Sequence, residues 1–435
     1  MNLHAGCEPI PASRLDWARS RDAADALAPL RARFAMPCGA DGSPLLYFCG
    51  HSLGLAPLAA RSVIEAEVAD WERFGVLGHE RARSAWISYA EQLQQPLAQL
   101  GGAQPHEVVA MNSLTVNLHL LLASFYRPGP RRRAILIEAG AFSSDRHAVA
   151  SQIGWHGLEP GRELIELGPR PGEELIRIED IEACIAAEGA RLALVLWPGV
   201  QYRTGQLFDL RRIARAAHAA DCIAGFDLAH AIGNVPLALH ADEADFAVWC
   251  SYKYLNAGPG ALGGAFVHER HLQGAQPLRL SGWWGTDPGT RFEMRPEFLA
   301  ARGAAAWALS NPPIFSAAPL LAALPMFAEV GMPALRRKSI ALTAYLASLL
   351  NELAGEQLTI ITPADPGQRG SQLSLRIARG VDKGRELFQT LSARGVVCDW
   401  REPDIIRIAP VPLYNSFEDV LRGAWQLCEL LQPRR

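Results

Sequence analysis

The chain has 435 residues, 49% hydrophobic and 20% charged, with a formal net charge of −3 at pH 7, so by length it holds roughly two to three ordinary folded domains. Nucleic acid is excluded as a main partner, because the longest basic cluster, Arg131-Arg132-Arg133 after Pro130, reads as a solvated loop and a phosphate backbone needs a wider basic face. No apolar window approaches the roughly 18 residues of a membrane span, and the start of the chain has no cationic stretch followed by an apolar one, so a cytoplasmic protein without membrane contact is expected.

In chain order, residues 1–59 carry few strand signals and are expected to pack with 311–435 as one small domain, beside a large domain at 60–310. From about 107 to 268, short apolar or β-branched runs alternate with helical patterns, the signature of a mostly parallel sheet covered by helices. Strands are expected at Glu107–Met111, Ala134–Glu138, Leu192–Trp197, Cys222–Asp227, Phe246–Cys250 and Gly264–Val267. Between them, Phe208–Ala220 places Leu210, Ile213, Ala214 and Ala217 on one helical face. After the Asn311-Pro312-Pro313 break, 320–353 reads as one or two helices. Strands follow at 357–362 and 372–377, a helix at 383–394, strands at 396–399 and 405–409, and a helix at 417–431. That order describes a small α+β domain, and the polar stretch 363–370 reads as an exposed turn.

The eight cysteines form no C-x-x-C pair and several lie inside apolar runs, which fits reduced core thiols. The twelve histidines form no H-E-x-x-H pattern, so no protein metal site is expected. The chemistry concentrates at two strand ends. Asp227 closes the run Ile223-Ala224-Gly225-Phe226, with His230 three residues on, and Lys253 follows Phe246–Cys250 by three residues. Singly, Asp227 is equally a helix cap and Lys253 an ordinary surface lysine. Together they suit pyridoxal phosphate, which needs a lysine for a Schiff base and a carboxylate to keep its ring nitrogen protonated. Asn112 to Asn117 joins a strand to an apolar helix whose first N–H groups suit an anion, and Phe142-Ser143-Ser144-Asp145 brings a flat aromatic to the same sheet edge. The run Gly258-Pro259-Gly260-Ala261-Leu262-Gly263 matches G-x-G-x-x-G but leads into a strand, so it is no dinucleotide cradle.

Six segments carry a family resemblance: MNSLTVNLHLLLASFY (111–126), GFDLAHAIGNVPLALH (225–240), DFAVWCSYKYLNAGPGALGGAFVHERH (245–271), Gly282-Trp283-Trp284-Gly285, SNPPIF (310–315) and IRIAPVPLYNSFEDV (406–420). In these, from about Tyr47 to Phe417, the chain resembles the kynureninases. The resemblance implies the pyridoxal-phosphate-dependent transferase-like fold (fold type I): a large α/β domain with a mostly parallel seven-stranded sheet, and a small α+β C-terminal domain. It implies hydrolysis of L-kynurenine, and of 3-hydroxy-L-kynurenine, to anthranilate or 3-hydroxyanthranilate and L-alanine, within tryptophan degradation and NAD biosynthesis.

By position, the resemblance makes Lys253 the Schiff-base lysine and Asp227 the partner of the ring nitrogen. Leu114 and Thr115 contact the cofactor from the helix start, Phe142 stacks on its ring, and Ser143, Ser144 and Asp145 complete that wall. His230 and Tyr252 line the site, Tyr252 reaching the phosphate and serving with Lys253 in catalysis. Trp283 and Asn311 arrive from the partner subunit of a homodimer. Arg407 clamps the substrate carboxylate, although it also reads as the solvent side of a strand, and His79 and Asn311 are candidates for contacts near the substrate ring. Two positions depart from the family pattern, Thr286 where histidine is common and Arg203 where an aromatic is common. The rivals are an aminotransferase or a cysteine desulfurase of the same fold, with Cys398 as the thiol to weigh, and a cofactor-binding protein without turnover.

Overall fold

The computed structural model describes residues 9–273, 277–378 and 380–432. The chain divides into two compact units. The larger comprises Ala60–Gln201 and Phe208–Ala328, and the smaller Met1–Ala59, Tyr202–Leu207 and Glu329–Arg435. This division gives 311–328 to the larger unit and 202–207 to the smaller, where the sequence predicts boundaries at 59/60 and 310/311.

The larger unit is built on seven strands: β1 (Val108–Met111), β2 (Ala134–Glu138), β3 (Leu164–Leu167), β4 (Leu192–Pro198), β5 (Ile223–Asp227), β6 (Phe246–Cys250) and β7 (Gly263–Val267). Their order across the sheet is β1-β7-β6-β5-β4-β2-β3. All neighbours are parallel except those of β7, which runs antiparallel to both β6 and β1. Strands β1, β2, β6 and β7 are buried at every position, which is why they read as unbroken apolar runs without alternation. The exception is β3, a half-exposed edge strand whose Leu-Ile-Glu-Leu has no such run to mark it in the sequence. The helix expected at 208–220 spans Leu210–Ala219, buries the four apolar residues named above, and begins where Asp209 accepts a hydrogen bond from the Arg212 amide. The Arg131–Arg133 cluster is not simply solvated: Arg132 donates to the carbonyls of Gly189 and Leu192, and Arg133 to that of Gly129.

The smaller unit has an antiparallel four-stranded sheet of β8 (Leu358–Ile360), β9 (Leu373–Ile377), β10 (Asp399–Arg401) and β11 (Ile405–Ile408), ordered β10-β11-β9-β8. The single strand expected at 396–399 is two short ones. Val396–Val397 pairs in parallel with Leu46–Tyr47, and the chain then changes sheets at Cys398 to pair Asp399–Arg401 with β11. The core gathers Phe48, Leu346, Leu350, Leu375, Ile406, Val420 and Leu427. Helix Phe417–Leu431 opens with a capping box, in which Ser416 Oγ accepts the Asp419 amide and Asp419 Oδ2 accepts the Ser416 amide. A helix the sequence reading did not place, Ala12–Ala23, belongs to this unit: its Trp17 ring lies 4.5 Å from Tyr345, and Asp22 accepts the amides of Phe417 and Glu418. The turn at 363–370 is only partly exposed, because Arg369 is buried and donates to the carbonyls of Pro363 and Ala364. Among the described residues no single helix is long and apolar enough to cross a membrane.

Candidate active site

The sheet topology decides where the polar residues meet. Since β7 is antiparallel to both neighbours, β1 runs parallel to β6, and Met111 and Cys250 both register with Gly263. The carboxyl ends of β1, β2, β4, β5 and β6 therefore share one edge, where an open α/β sheet binds its ligands. Asp227 is the last residue of β5, paired with Pro198 of β4, and Glu138 is the last residue of β2.

Lys253 stands in the loop after β6, which closes on itself where the Ala257 amide donates to Ser251 O and that of Asn256 to Lys253 O. Its Nζ lies 5.9 Å from the centre of the Phe142 ring and 5.8 Å from that of Tyr252. The Phe142 ring remains 41% exposed, so it offers a face and does not anchor the core. Burial and the neighbouring Cys250 thiol raise the Tyr252 phenol above its ordinary range, so Tyr252 keeps its proton at neutral pH. Ser251 is fully buried and its hydroxyl finds no partner among the described residues.

Three carboxyl groups gather at the ends of β2 and β5 and in the first turn of the helix Ser143–Trp155. Asp227 is buried, with Oδ1 accepting the Ala229 amide at 2.7 Å. Asp145 is hydrogen-bonded to Asp227, and burial together with that neighbour raises it well above the usual carboxylate range, so Asp145 holds on to its proton. Glu138 is 2% exposed, and burial, then Asp227, push it up to about 8. Its Oε1 accepts a long bond from Gln201 at 3.4 Å, while Oε2 has no partner among the described residues. The charges acting on Glu138 and Asp145 are other carboxylates, so the cluster is arranged around a missing positive charge.

Several other residues named from the sequence share this unit. His230 is buried, edge-on to Tyr254 at 6.5 Å. Leu114 and Thr115 are the first residues of helix Leu114–Phe125, and Ser113 at its N-cap makes no side-chain cap bond. Asn112 adopts a left-handed φ of 46° and donates to Asn117, which in turn holds Met111 O, so the asparagines shape the turn into this helix. Ser143 and Ser144 open helix Ser143–Trp155, Ser144 donating to Asp145 at 3.3 Å.

Trp283 is 44% exposed and donates to Arg291 O, while Asn311 is exposed at a small cavity shared with Asn112, Trp284 and Arg291. His79 lies edge-on to Trp86, 5.7 Å between ring centres. Thr286 closes the tryptophan turn by donating to Trp283 O at 2.6 Å. In the smaller unit Arg407 has no exposed surface, which rules out the solvent-facing alternative: it is paired with both oxygens of Asp399 and donates to Tyr202 O. Arg203 is paired with Asp404, which also holds Arg376, so this departure anchors the 202–207 segment. Cys398 is buried and its thiol is pushed far up by that burial, so it is no exposed nucleophile of the desulfurase kind.

Glu138, Gln201, Asp399 and His51 were not named from the sequence. Glu138 had a signal: like Asp227, it is a carboxylate ending a buried apolar run. Gln201 and His51 sit in loops with no local pattern, and Asp399 lay inside an expected strand.

A family description, the kynureninase C-terminal domain, matches residues 335–427. A kynureninase of Xanthomonas campestris pv. campestris (strain B100) is 55% identical over 410 residues, covering 94% of this chain and 96% of the relative. One of Myxococcus xanthus (strain DK1622) is 54% identical over 406 residues, covering 93% and 95%. Among solved structures, the cystine C–S lyase C-DES superposes with a TM-score of 0.75 at 19% identity, covering 88% of this chain and 97% of that one. The cysteine desulfurase CsdA of Escherichia coli gives 0.74 at 18%, covering 93% and 98%. At those identities the structural likeness establishes the fold, which is the fold type I expected from the sequence. The identity to the relatives over nearly their whole length establishes more: the chain belongs to the kynureninase family.

Proposed function

We propose that this enzyme binds pyridoxal 5′-phosphate at the sheet edge and hydrolyses L-kynurenine, and 3-hydroxy-L-kynurenine, to the corresponding anthranilate and L-alanine. The observation that carries the reading is the charge arrangement. A buried group of three carboxyls, one with an oxygen that no described residue bonds, lies at the same sheet edge as a lysine beside a half-exposed aromatic ring. A protonated pyridine nitrogen supplies the missing cation, the Phe142 face suits a flat ring, and the uncapped amides of Leu114 and Thr115 with the Ser251 hydroxyl suit a phosphate. When bound, the cofactor supplies an electron sink for charge developing at the substrate's α-carbon.

The chain's own residues divide the remaining work. Lys253 holds the cofactor and, once displaced by the substrate amine, moves the proton at the α-carbon. Asp227 keeps the ring nitrogen charged, with Asp145 hydrogen-bonded behind it. Tyr252, held as a phenol, donates a proton as the Cβ–Cγ bond breaks after water adds to the side-chain ketone. His230 walls the site, Arg407 binds the α-carboxylate, and His79 and Asn311 lie near the substrate ring. Balanced, one water is consumed for each arylcarboxylate and alanine released.

Trp283 and Asn311 serve a second copy's site in a homodimer. The exposure of Leu278, Leu280, Trp283, Phe292, Met294 and Phe298 along one stretch supports this, since a monomer rarely leaves so many large apolar groups in water. Sedimentation at micromolar concentration is expected to give a dimer, and a monomer that retains full activity would remove that part. The protein acts in the cytoplasm in tryptophan degradation. The reaction is tested by the fluorescence of anthranilate released from kynurenine with no keto acid present. Product formed only when a keto acid is added would make the enzyme an aminotransferase.

A further inference from the structure

In the smaller unit, the ligand atoms of Cys49, His51 and Asp399 lie within 4.8 Å of one another, a spacing that would suit a metal ion. Two guanidiniums argue against one. Arg407 takes both oxygens of Asp399, its Nε at 2.6 Å from Oδ1, and Arg401 Nη2 lies 3.0 Å from Oδ2. The ring of His51, with no exposed surface, places Nε2 3.3 Å from Oδ1. One carboxylate therefore has four nitrogen atoms around it.

We infer that Asp399, backed by His51, is the positioning residue that presents Arg407 to the substrate's carboxylate; this rests on the reading of Arg407 as the carboxylate clamp. A guanidinium has five N–H groups. Asp399 takes one on Nε and one on Nη2, and Tyr202 O takes one on Nη1 at 2.6 Å. One hydrogen is left on each terminal nitrogen, the number a bidentate carboxylate needs. Without Asp399 the Nε side would be free, and the guanidinium could turn a different pair of donors to its ligand.

Burial and Arg407 hold His51 down to about 4, and burial pushes the Cys49 thiol up to about 12, so both are neutral near pH 7. Arg407, which has no exposed surface, shares the one Asp399 carboxylate with the partly exposed Arg401, so these three groups together carry a single surplus positive charge. A buried charge is costly until it is paired, and one carboxylate pairs it. His51 thus steadies Asp399 as a neutral contact and leaves that surplus at one.

The test uses the cofactor-loaded enzyme. Asp399→Asn is expected to raise KM for kynurenine by about tenfold or more while kcat changes by less than about threefold, with the bound-cofactor absorbance unchanged. The Ki of the amine analogue that lacks the α-carboxylate is expected to stay within about twofold, because it never used the clamp. In an Arg407→Ala background the Asp399→Asn effect should vanish; if it persists in full, Asp399 does not act through Arg407 and the inference fails. If Arg407→Ala itself leaves KM unchanged, the clamp reading fails, a separately visible result. Should Asp399→Asn not fold, His51 decides: His51→Leu is expected to raise KM by about threefold and His51→Asn, which keeps an N–H donor, to restore it, whereas equal values for both would overturn the inference.

Discussion

Asp227 ends an unbroken apolar run and Lys253 follows another by three residues, and a charged residue at such a place emerges at a sheet edge with little freedom to go elsewhere. What local pattern does not contain is the company they keep. Asp145 lies in the first turn of a helix and Glu138 at the end of another strand, and only the sheet order brings them to Asp227. Lys253→Ala is expected to lower kcat by at least about four orders of magnitude, as removal of a covalent catalyst typically does, and to abolish the lysine-bound cofactor absorbance. Turnover surviving at a tenth of the wild-type rate would show that another group does the work. Arg407 marks the limit of residue-by-residue reading: an arginine within Ile405–Ile408 has the pattern of a solvent-facing strand position, yet Asp399, eight residues back, keeps it fully buried.

At the scale of elements, the buried parallel strands and the strongly amphipathic helices were placed to within a residue or two, because their burial is written into composition. Edge strand β3 and helix Ala12–Ala23 were missed for the opposite reason, since each is only half buried and is held by partners distant in sequence. Glycine 263 shows how elements fix the site. A Cβ there would lie 2.6 Å from Trp249 O and 3.1 Å from the Leu114 amide, so the junction of β6, β7 and the helix start tolerates only Gly263. Gly263→Ala is expected to cost about 1–3 kcal/mol in a denaturant titration and to weaken cofactor binding, because the Leu114 amide must move. Gly225→Ala, whose Cβ would meet the Phe246 ring at 2.2 Å, should cost a similar amount while leaving cofactor affinity within about twofold. Equal losses of cofactor affinity in both variants would show that general destabilisation, and not the helix start, is responsible.

For the whole molecule, the buried acids set opposite limits on stability with pH. Asp245 accepts from His218, His271, Arg270 and the Ala224 amide, and these partners hold it well below the usual carboxylate range. Its contribution is complete above the unfolded carboxylate pKa, about 4, and is lost as pH falls below that. Glu138 works the other way: raised to about 8, it favours the fold fully below the unfolded pKa and loses that contribution as pH climbs toward 8. Each unit of separation corresponds to about 1.4 kcal/mol, so the span amounts to a few kcal/mol at most. A cation bound among the carboxyls favours their charged forms and removes the penalty. Protein stripped of cofactor is therefore expected to lose stability between pH 5 and 8, while the loaded enzyme holds nearly level over the same range. Glu138→Gln cannot ionise and should flatten the stripped protein's curve. Urea midpoints at pH 5, 6.5 and 8 for the three samples decide it: parallel curves for stripped and loaded wild type would mean that the carboxyl cluster does not face the cofactor's charge.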